Sequence, residues 1–123
     1  MDFRLELISV PVSDVERAKA FYADKAGFTL DHDHSVSDEV RFLQFTPPGS
    51  ACSITFGKGI SSKEPGSVEG LQLVVDDIEA ARDELAGRGV DVSEVQDFPW
   101  GRFVFFSDPD GNGWAVQQIP SYD

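Results

Sequence analysis

The pattern of apolar and polar positions predicts two successive halves with the same order of elements. Apolar and polar residues alternate over residues 3–12, which is typical of a strand. Residues 15–26 place their apolar side chains on one face of a predicted helix that ends at Gly27. Runs rich in aromatic and β-branched residues at 28–34, 39–46 and 51–56 predict three further strands. The first half therefore has the predicted order β-α-β-β-β.

The second half repeats this order after a polar stretch. Residues 68–75 and 90–95 predict strands, and a helix is predicted to begin at Asp76 or Asp77. Two apolar runs within residues 102–118 flank the turn sequence Asp-Pro-Asp-Gly-Asn, which predicts a hairpin.

The two halves also share residue identities in one register. An offset of 63 residues aligns the strand-to-helix junctions, and a match of this kind predicts an internal duplication. The identical pairs are Glu6 and Glu69, Val12 and Val75, Asp14 and Asp77, Glu16 and Glu79, and Ala18 and Ala81.

Composition narrows the classes of protein. The formal net charge of −12 argues against binding to nucleic acids or anionic membrane surfaces, which select basic patches. A single cysteine, Cys52, excludes an internal disulfide and favours a reducing compartment. No apolar run reaches membrane-spanning length, and the N-terminus lacks a signal-peptide pattern, so a cytoplasmic location is expected.

The motifs at the strand-to-helix junction and near the C-terminus resemble those of the vicinal oxygen chelate superfamily. This superfamily contains glyoxalase I, bleomycin-resistance proteins and extradiol dioxygenases. The motifs are Val12, Asp14, Ala18, Phe21 and Tyr22 in the first helix region, Gly27-Phe28 after it, and the sequence FFSDPDGN at residues 105–112.

The resemblance implies an α+β fold. We expect a single domain over residues 1–123, with module one at about 3–57, a linker at about 57–66 and module two at about 67–119. The modules would form an eight-stranded cupped sheet with helices on its convex side and a ligand in the cup. The resemblance also implies a homodimer.

In metal-dependent members, four side chains in the cup bind a divalent ion. Carried over by motif, these positions are Leu7, Ser53, Gly70 and Ala115. None provides the imidazole, carboxylate or thiolate that such an ion requires. We therefore predict neither a metal site nor a cofactor.

The predicted floor of the cup is lined by small, apolar and neutral polar residues. Its polar members lie two residues beyond the four metal positions and share their face, unless they simply bond to one another. Trp100 lies at the predicted rim, where it either covers an aromatic ligand or caps the edge of the core. The predicted ligand-binding residues are Leu7, Ser9, Ser53, Thr55, Gly70, Gln72, Trp100, Ala115 and Gln117.

Several other side chains have an ordinary and a functional interpretation. His32 and His34 share a strand face, either as a metal pair or as solvated histidines. Turn formation accounts for Asp108 and Asp110. The remaining candidates are Cys52, as a small core residue or a nucleophile, and Arg41 and Arg102, as surface residues or partners of an anionic substrate.

The leading hypothesis is a metal-free, glyoxalase- and bleomycin-resistance-like protein that binds a small apolar or aromatic organic molecule in the cup. The alternative is an enzyme of the same superfamily: a lyase, an isomerase or a dioxygenase. It would be metal-dependent through non-standard ligands such as His32 and His34, or metal-free. A third class is a structural or regulatory partner protein. The sequence leaves the question of catalysis open.

Overall fold

The computed structural model describes residues 1–120 and confirms two βαβββ modules in an α+β fold. None of the helices described in this range is long and apolar enough to cross a membrane. Module one contains β1 (Leu7–Ser9), α1 (Val15–Ala20), β2 (Thr29–Ser35), β3 (Arg41–Thr46) and β4 (Ser53–Lys58). Module two contains β5 (Leu71–Val74), α2 (Ile78–Gly87), β6 (Gln96–Phe98), β7 (Gly101–Ser107) and β8 (Gly113–Gln118).

The eight strands form two four-stranded sheets rather than one continuous sheet. Sheet one has the order β1-β4-β3-β2, and sheet two has the equivalent order β5-β8-β7-β6. The pairs β1–β4 and β5–β8 are parallel, and all other pairs are antiparallel. No backbone ladder joins the two sheets within residues 1–120.

One strand predicted from the sequence does not form where it was expected. Residues 90–95 do not form a strand, and the ladder with β7 begins only at Gln96. Val90 is instead buried in the core, and the amide of Val92 donates a hydrogen bond to the carbonyl of Val90 at 3.0 Å. Packing of this segment against the core therefore outweighs its strand propensity.

Both helices begin at an aspartate in the predicted register. The side chain of Asp14 accepts a hydrogen bond from the amide of Arg17 at 3.1 Å, and Asp77 accepts one from Ala80 at 3.1 Å. Such a cap stabilises a helix by about 1 kcal/mol. Helix α1 continues into a π-helical turn at Phe21–Lys25.

Each sheet has one face packed against helices, here called the helix-covered face, and one on the other side, here called the open face. Tyr22, from the π-helical turn, packs against Phe45 and Phe56 of sheet one, with ring centroids 6.3 and 5.5 Å away. Trp114 of sheet two lies 6.0 Å from the ring of Tyr22. The helix-covered faces of both sheets therefore contribute to one hydrophobic core.

A buried polar network links the modules across this core. The Tyr22 hydroxyl donates to Asp108 Oδ2 at 2.7 Å and accepts from Trp114 Nε1 at 3.1 Å. Asn112 Nδ2 donates to the same Asp108 oxygen and to the Pro11 carbonyl, each at 2.8 Å. Asp108 therefore does more than form the turn that its sequence indicates.

Asp110 forms a second link between the modules, closer to the surface. Its carboxylate accepts hydrogen bonds from the Ser13 amide at 3.1 Å and from Arg17 Nη2 at 3.2 Å. Gly66 packs against the Asp110 carbonyl so closely that a Cβ would lie 2.0 Å from that oxygen. Gly66 also has a φ of +80°, so both space and backbone conformation require glycine at the end of the linker.

We expect the Tyr22→Phe substitution to lower the free energy of unfolding at pH 8 by about 1–3 kcal/mol, because the buried Asp108 carboxylate loses a hydrogen bond.

Burial and the neighbouring Asp108 carboxylate also raise the pKa of Tyr22 well above its ordinary value. The native protein thus holds this proton more tightly than the unfolded chain. Its stability should fall as the pH rises above about 10, the value for an unfolded tyrosine.

The phenylalanine variant lacks this titration, so the stability difference between the two proteins should shrink above pH 10. Urea unfolding, followed by tryptophan fluorescence from pH 8 to pH 11, measures both effects. A difference that stays constant or grows over this range would contradict the role assigned to the Tyr22 hydroxyl.

Candidate ligand-binding site

The predicted residues of module one lie together on the open face of sheet one. The strand register places Leu7 beside Ser53 and Ser9 beside Thr55. Thr55 is in turn opposite Gln44, which pairs with His32 on the edge strand. Because residues in register point to the same side of a sheet, this face carries a row of polar side chains.

The predicted residues of module two lie on the open face of sheet two. Gln72 pairs with Ala115, and Gln117 is two residues further along β8. The same ladder brings Phe105 opposite Ala115 and Phe103 opposite Gln117. The counterparts of the polar residues on β3 are therefore aromatic rings.

These rings belong to a connected aromatic row across the open face of sheet two. The ring centroids of Trp100 and Phe98 are 5.3 Å apart, those of Phe98 and Phe103 are 5.6 Å apart, and those of Phe103 and Phe105 are 5.9 Å apart. Sequence reasoning singled out only Trp100. The alternation of residues along β7 places Phe103 and Phe105 on one face and Val104 and Phe106 on the other, and this pattern could have indicated the other rings of the row.

Gln117 fixes the position of the rim loop that carries Trp100. Its Nε2 donates to the Trp100 carbonyl at 2.9 Å, and its Oε1 accepts from Gln72 Nε2 at 2.6 Å. The polar residues of this half thus bond to one another, which was the ordinary interpretation of their pattern. The indole of Trp100 is 60% exposed and stacks on Phe98.

Gly70 does not correspond to Leu7 in the structure, although the sequence register aligned the two. The Val10 amide bonds to the Thr55 carbonyl, and the Val75 amide bonds to the Gln117 carbonyl, each at 2.8 Å. This places Gln72, not Gly70, in the position of Leu7. The reason is that module two has two fewer residues between its first strand and its helix cap, so the helix register does not extend into the strands.

The four structurally equivalent positions do not fit a divalent metal ion. They are Leu7, Ser53, Gln72 and Ala115, and only Ser53 and Gln72 carry a donor atom. Both of these side chains already bond to neighbouring side chains. Within residues 1–120, no group of three or more His, Cys, Asp or Glu residues is arranged to hold a metal.

A β-bulge in β2 determines which way the two histidines point. Leu30 pairs with Phe45 and His32 pairs with Gln44, so Asp31 is the extra residue. As a result His32 and His34 share the open face, with ring centroids 6.0 Å apart, and both are exposed. Asp33 points to the opposite side, toward α1.

The two arginines considered as substrate partners are held by carboxylates of their own modules. Arg41 bonds to Asp33 and Glu16, and Arg102 bonds to Asp97 and Glu79. The Arg41 guanidinium, helped by Lys19, holds the pKa of Asp33 well below its usual range. These arginines therefore connect sheets to helices and do not face the open side.

Two clefts border the aromatic row. One has a volume of about 230 Å³ and is lined by Gly70, Phe105 and Ala115 among others. The other, of about 410 Å³, lies beside Asp91 and Ser93. Both clefts share the segment 105–107, so Phe105 stands between them.

Comparison with known proteins identifies the family. The model of the Glyoxalase/Bleomycin resistance protein/Dioxygenase superfamily matches residues 4–116. The chain belongs to this superfamily. The match confirms the resemblance deduced from the junction motifs and from FFSDPDGN.

Several solved structures are similar to this chain along nearly their whole length. TnmS3, an antibiotic binding protein from Streptomyces sp. CB03234, is 40% identical with a TM-score of 0.86, covering 97% of this chain and 98% of its own. A glyoxalase/bleomycin resistance protein from the same strain is 42% identical with a TM-score of 0.81, covering 94% and 100%. A superfamily member from Sphaerobacter thermophilus DSM 20745 is 30% identical with a TM-score of 0.81, covering 95% and 98%.

We expect Gln117→Ala to loosen the Trp100 loop. Loss of one hydrogen bond to the Trp100 carbonyl should speed amide hydrogen exchange at Phe98, Trp100 and Gly101 about threefold to tenfold, with little change in global stability. The matched control is Gln72→Ala, which removes the bond between the two glutamines and leaves the one to Trp100. Equal exchange rates in the two variants would show that Gln117 does not hold this loop.

Proposed function

We propose that this protein binds a small, planar, largely apolar or aromatic organic molecule on its open faces, without a metal ion. The observation that carries the proposal is the aromatic row of Trp100, Phe98, Phe103 and Phe105 beside a cleft. Aromatic rings prefer stacked or edge-to-face contact with other rings, and two members of this row, Phe98 and Trp100, are exposed.

The two open faces offer complementary chemistry to such a ligand. Sheet two provides rings and the small side chain of Ala115, while sheet one provides amide, hydroxyl and imidazole groups around Gln44. Because the helix-covered faces of both sheets pack on one core, the two open faces of one chain point away from each other. A planar molecule with a polar edge therefore matches the open face of sheet two in one copy and the open face of sheet one in a second copy. The similarity to the antibiotic binding protein TnmS3 supports a binding role for the same region of the fold.

We also propose that the protein is a homodimer whose second copy helps to enclose the ligand. The cleft beside Ala115 has about 230 Å³, less than the roughly 300–1,000 Å³ of pockets for drug-sized ligands. Large apolar side chains near the free edges of β1 and β5 are exposed, among them Leu5 (66%) and Val74 (63%). A second copy would add enclosing surface to this cleft, and burial in the subunit interface would remove the exposed apolar side chains from water.

An enzymatic alternative is supported by one observation. His32 and His34 are exposed on the open face next to Gln44, where an imidazole can exchange a proton with a bound molecule. In this alternative the ligand is a substrate, and turnover depends on His32 or His34. Stoichiometric binding with no conversion, in wild type and in His32→Ala, favours the binding protein.

The ligand site can be tested with 2-naphthol as a first aromatic probe, using calorimetry. We expect Trp100→Ala and Phe105→Ala each to weaken binding about threefold to tenfold, because each removes a ring contact. Addition of a chelator should change nothing. The control is Val36→Ala, which alters an exposed residue in the turn between β2 and β3.

Two results would contradict this proposal. One is binding that needs a stoichiometric divalent ion, shown by elemental analysis and by loss of affinity with the chelator. The other is binding that survives both aromatic replacements unchanged.

If the protein is a homodimer, it should sediment as two chains at protein concentrations of roughly tens of micromolar, a range in which specific dimers persist. Leu5→Glu places a charge among exposed apolar side chains and should shift the population toward monomer. Val36→Glu is the matched control for the added charge. A monomer at these concentrations in the wild-type protein would overturn the assembly proposal.

A further inference from the structure

A chain of hydrogen bonds crosses the open face of sheet one from its edge strand toward its centre. Asp31 Oδ2 accepts from the Thr46 hydroxyl, and Thr46 Oγ1 lies 2.7 Å from Ser53 Oγ. Gln44 Nε2 donates to Ser53 Oγ at 3.3 Å. Ser53, which stands at one of the superfamily's metal positions, is 5% exposed, so its partners are protein groups.

The proton on each oxygen of this chain follows from the carboxylate at its end. An ionised carboxylate only accepts hydrogen bonds, so the Thr46 proton points to Asp31. The Thr46 oxygen must then accept the Ser53 proton. Ser53 has no proton left for Gln44, so it can only accept from the Gln44 amide nitrogen.

This direction fixes the orientation of the Gln44 amide. The nitrogen faces Ser53, and within residues 1–120 no donor contacts Gln44 Oε1. Gln44 is half-buried in the row that contains His32 and Thr55, and the Thr55 hydroxyl is already used by the Leu43 carbonyl at 2.8 Å. The open face therefore presents the carbonyl oxygen of Gln44 as a free acceptor.

The bulge in β2 is what allows Asp31 to take this position. Asp31 is the extra residue between the Leu30 and His32 pairs, so it has no partner opposite it on β3. Its carboxylate reaches Thr46 on the open face, while His32, the next residue, also lies on that face. In a regular strand, adjacent residues point to opposite sides.

We propose that Gln44 determines ligand specificity and that Asp31 is a positioning residue that acts through Thr46 and Ser53. Together they select aromatic ligands that carry a hydrogen-bond donor, a hydroxyl or N–H, on the edge facing sheet one. This inference rests on the proposed function, in which the open faces bind the ligand. It adds the class of polar group that the ligand must carry.

The test compares 2-naphthol with 2-methoxynaphthalene, which has the same ring system and an ether in place of the hydroxyl donor. We expect the wild-type protein to bind 2-naphthol about fivefold to tenfold more tightly, the value of one hydrogen bond. In Asp31→Ala the Thr46 proton is free to turn toward Ser53. Ser53 can then donate to Gln44, whose amide flips, so the preference should disappear or reverse.

Thr46→Val breaks the same chain without changing the charge or the shape of the side chain, and it should shift the preference in the same way. The matched control for the lost charge is Asp38→Ala, at an exposed acidic residue of the β2–β3 turn, which should keep the wild-type ratio. A merely structural role of Asp31 would lower the affinity for both compounds and leave their ratio unchanged, and this result would overturn the assignment.

The two proposals fail in different ways. Trp100→Ala and Phe105→Ala should weaken both compounds equally, so they report on the aromatic site and not on the ratio. Equal affinity of wild type for the two compounds overturns the specificity assignment while the binding function stands. Failure of wild type to bind either compound overturns the binding function and the specificity assignment with it.

Discussion

The hydroxyl of Tyr22 joins the two modules, and the placement of both open faces depends on it. Tyr22 is completely buried, and it connects the helix region of module one to Asp108 and Trp114 of module two. A buried carboxylate is tolerated only when both of its oxygens accept hydrogen bonds. The Tyr22 hydroxyl and the Asn112 side chain donate to Oδ2 of Asp108, and the amides of Asp110 and Asn112 donate to Oδ1. The conformation of the hairpin turn at Asp108 and the packing of the helix region of module one therefore depend on each other.

The two modules are alike on their helix-covered faces and differ in the side chains of their open faces. Each helix begins at an aspartate, and each carries a glutamate that pairs with an arginine on its own sheet, Arg41 or Arg102. On the open side, however, Gln44 of sheet one corresponds to Phe103 of sheet two. Core packing restricts the helix side, because close-packed interiors tolerate few changes of shape. The open side is free to specialise.

The sequence was sufficient for the order of elements, the duplication and the family, because caps, turns and periodicity are local signals. It misjudged features that depend on the fold as a whole. Gln72, not Gly70, corresponds to Leu7 because the connection between the first strand and the helix is shorter in module two. The strand expected at residues 90–95 does not form because Val90 is buried in the core. The proton chain from Asp31 was inaccessible, because it needs a bulge that changes which residues of β2 share a face.

The same bulge has a consequence for how sheet one meets other protein molecules. Strand β2 is an outer edge of that sheet, and its backbone is interrupted at Asp31 and lined by the charged and titratable run Asp31–His34. An edge of this kind is a poor template for an incoming strand, whereas long, flat, apolar edges promote aggregation. The irregularity that orients the amide of Gln44 thus also shields this edge from intermolecular strand addition, which leaves β1 as the uninterrupted outer edge of the sheet.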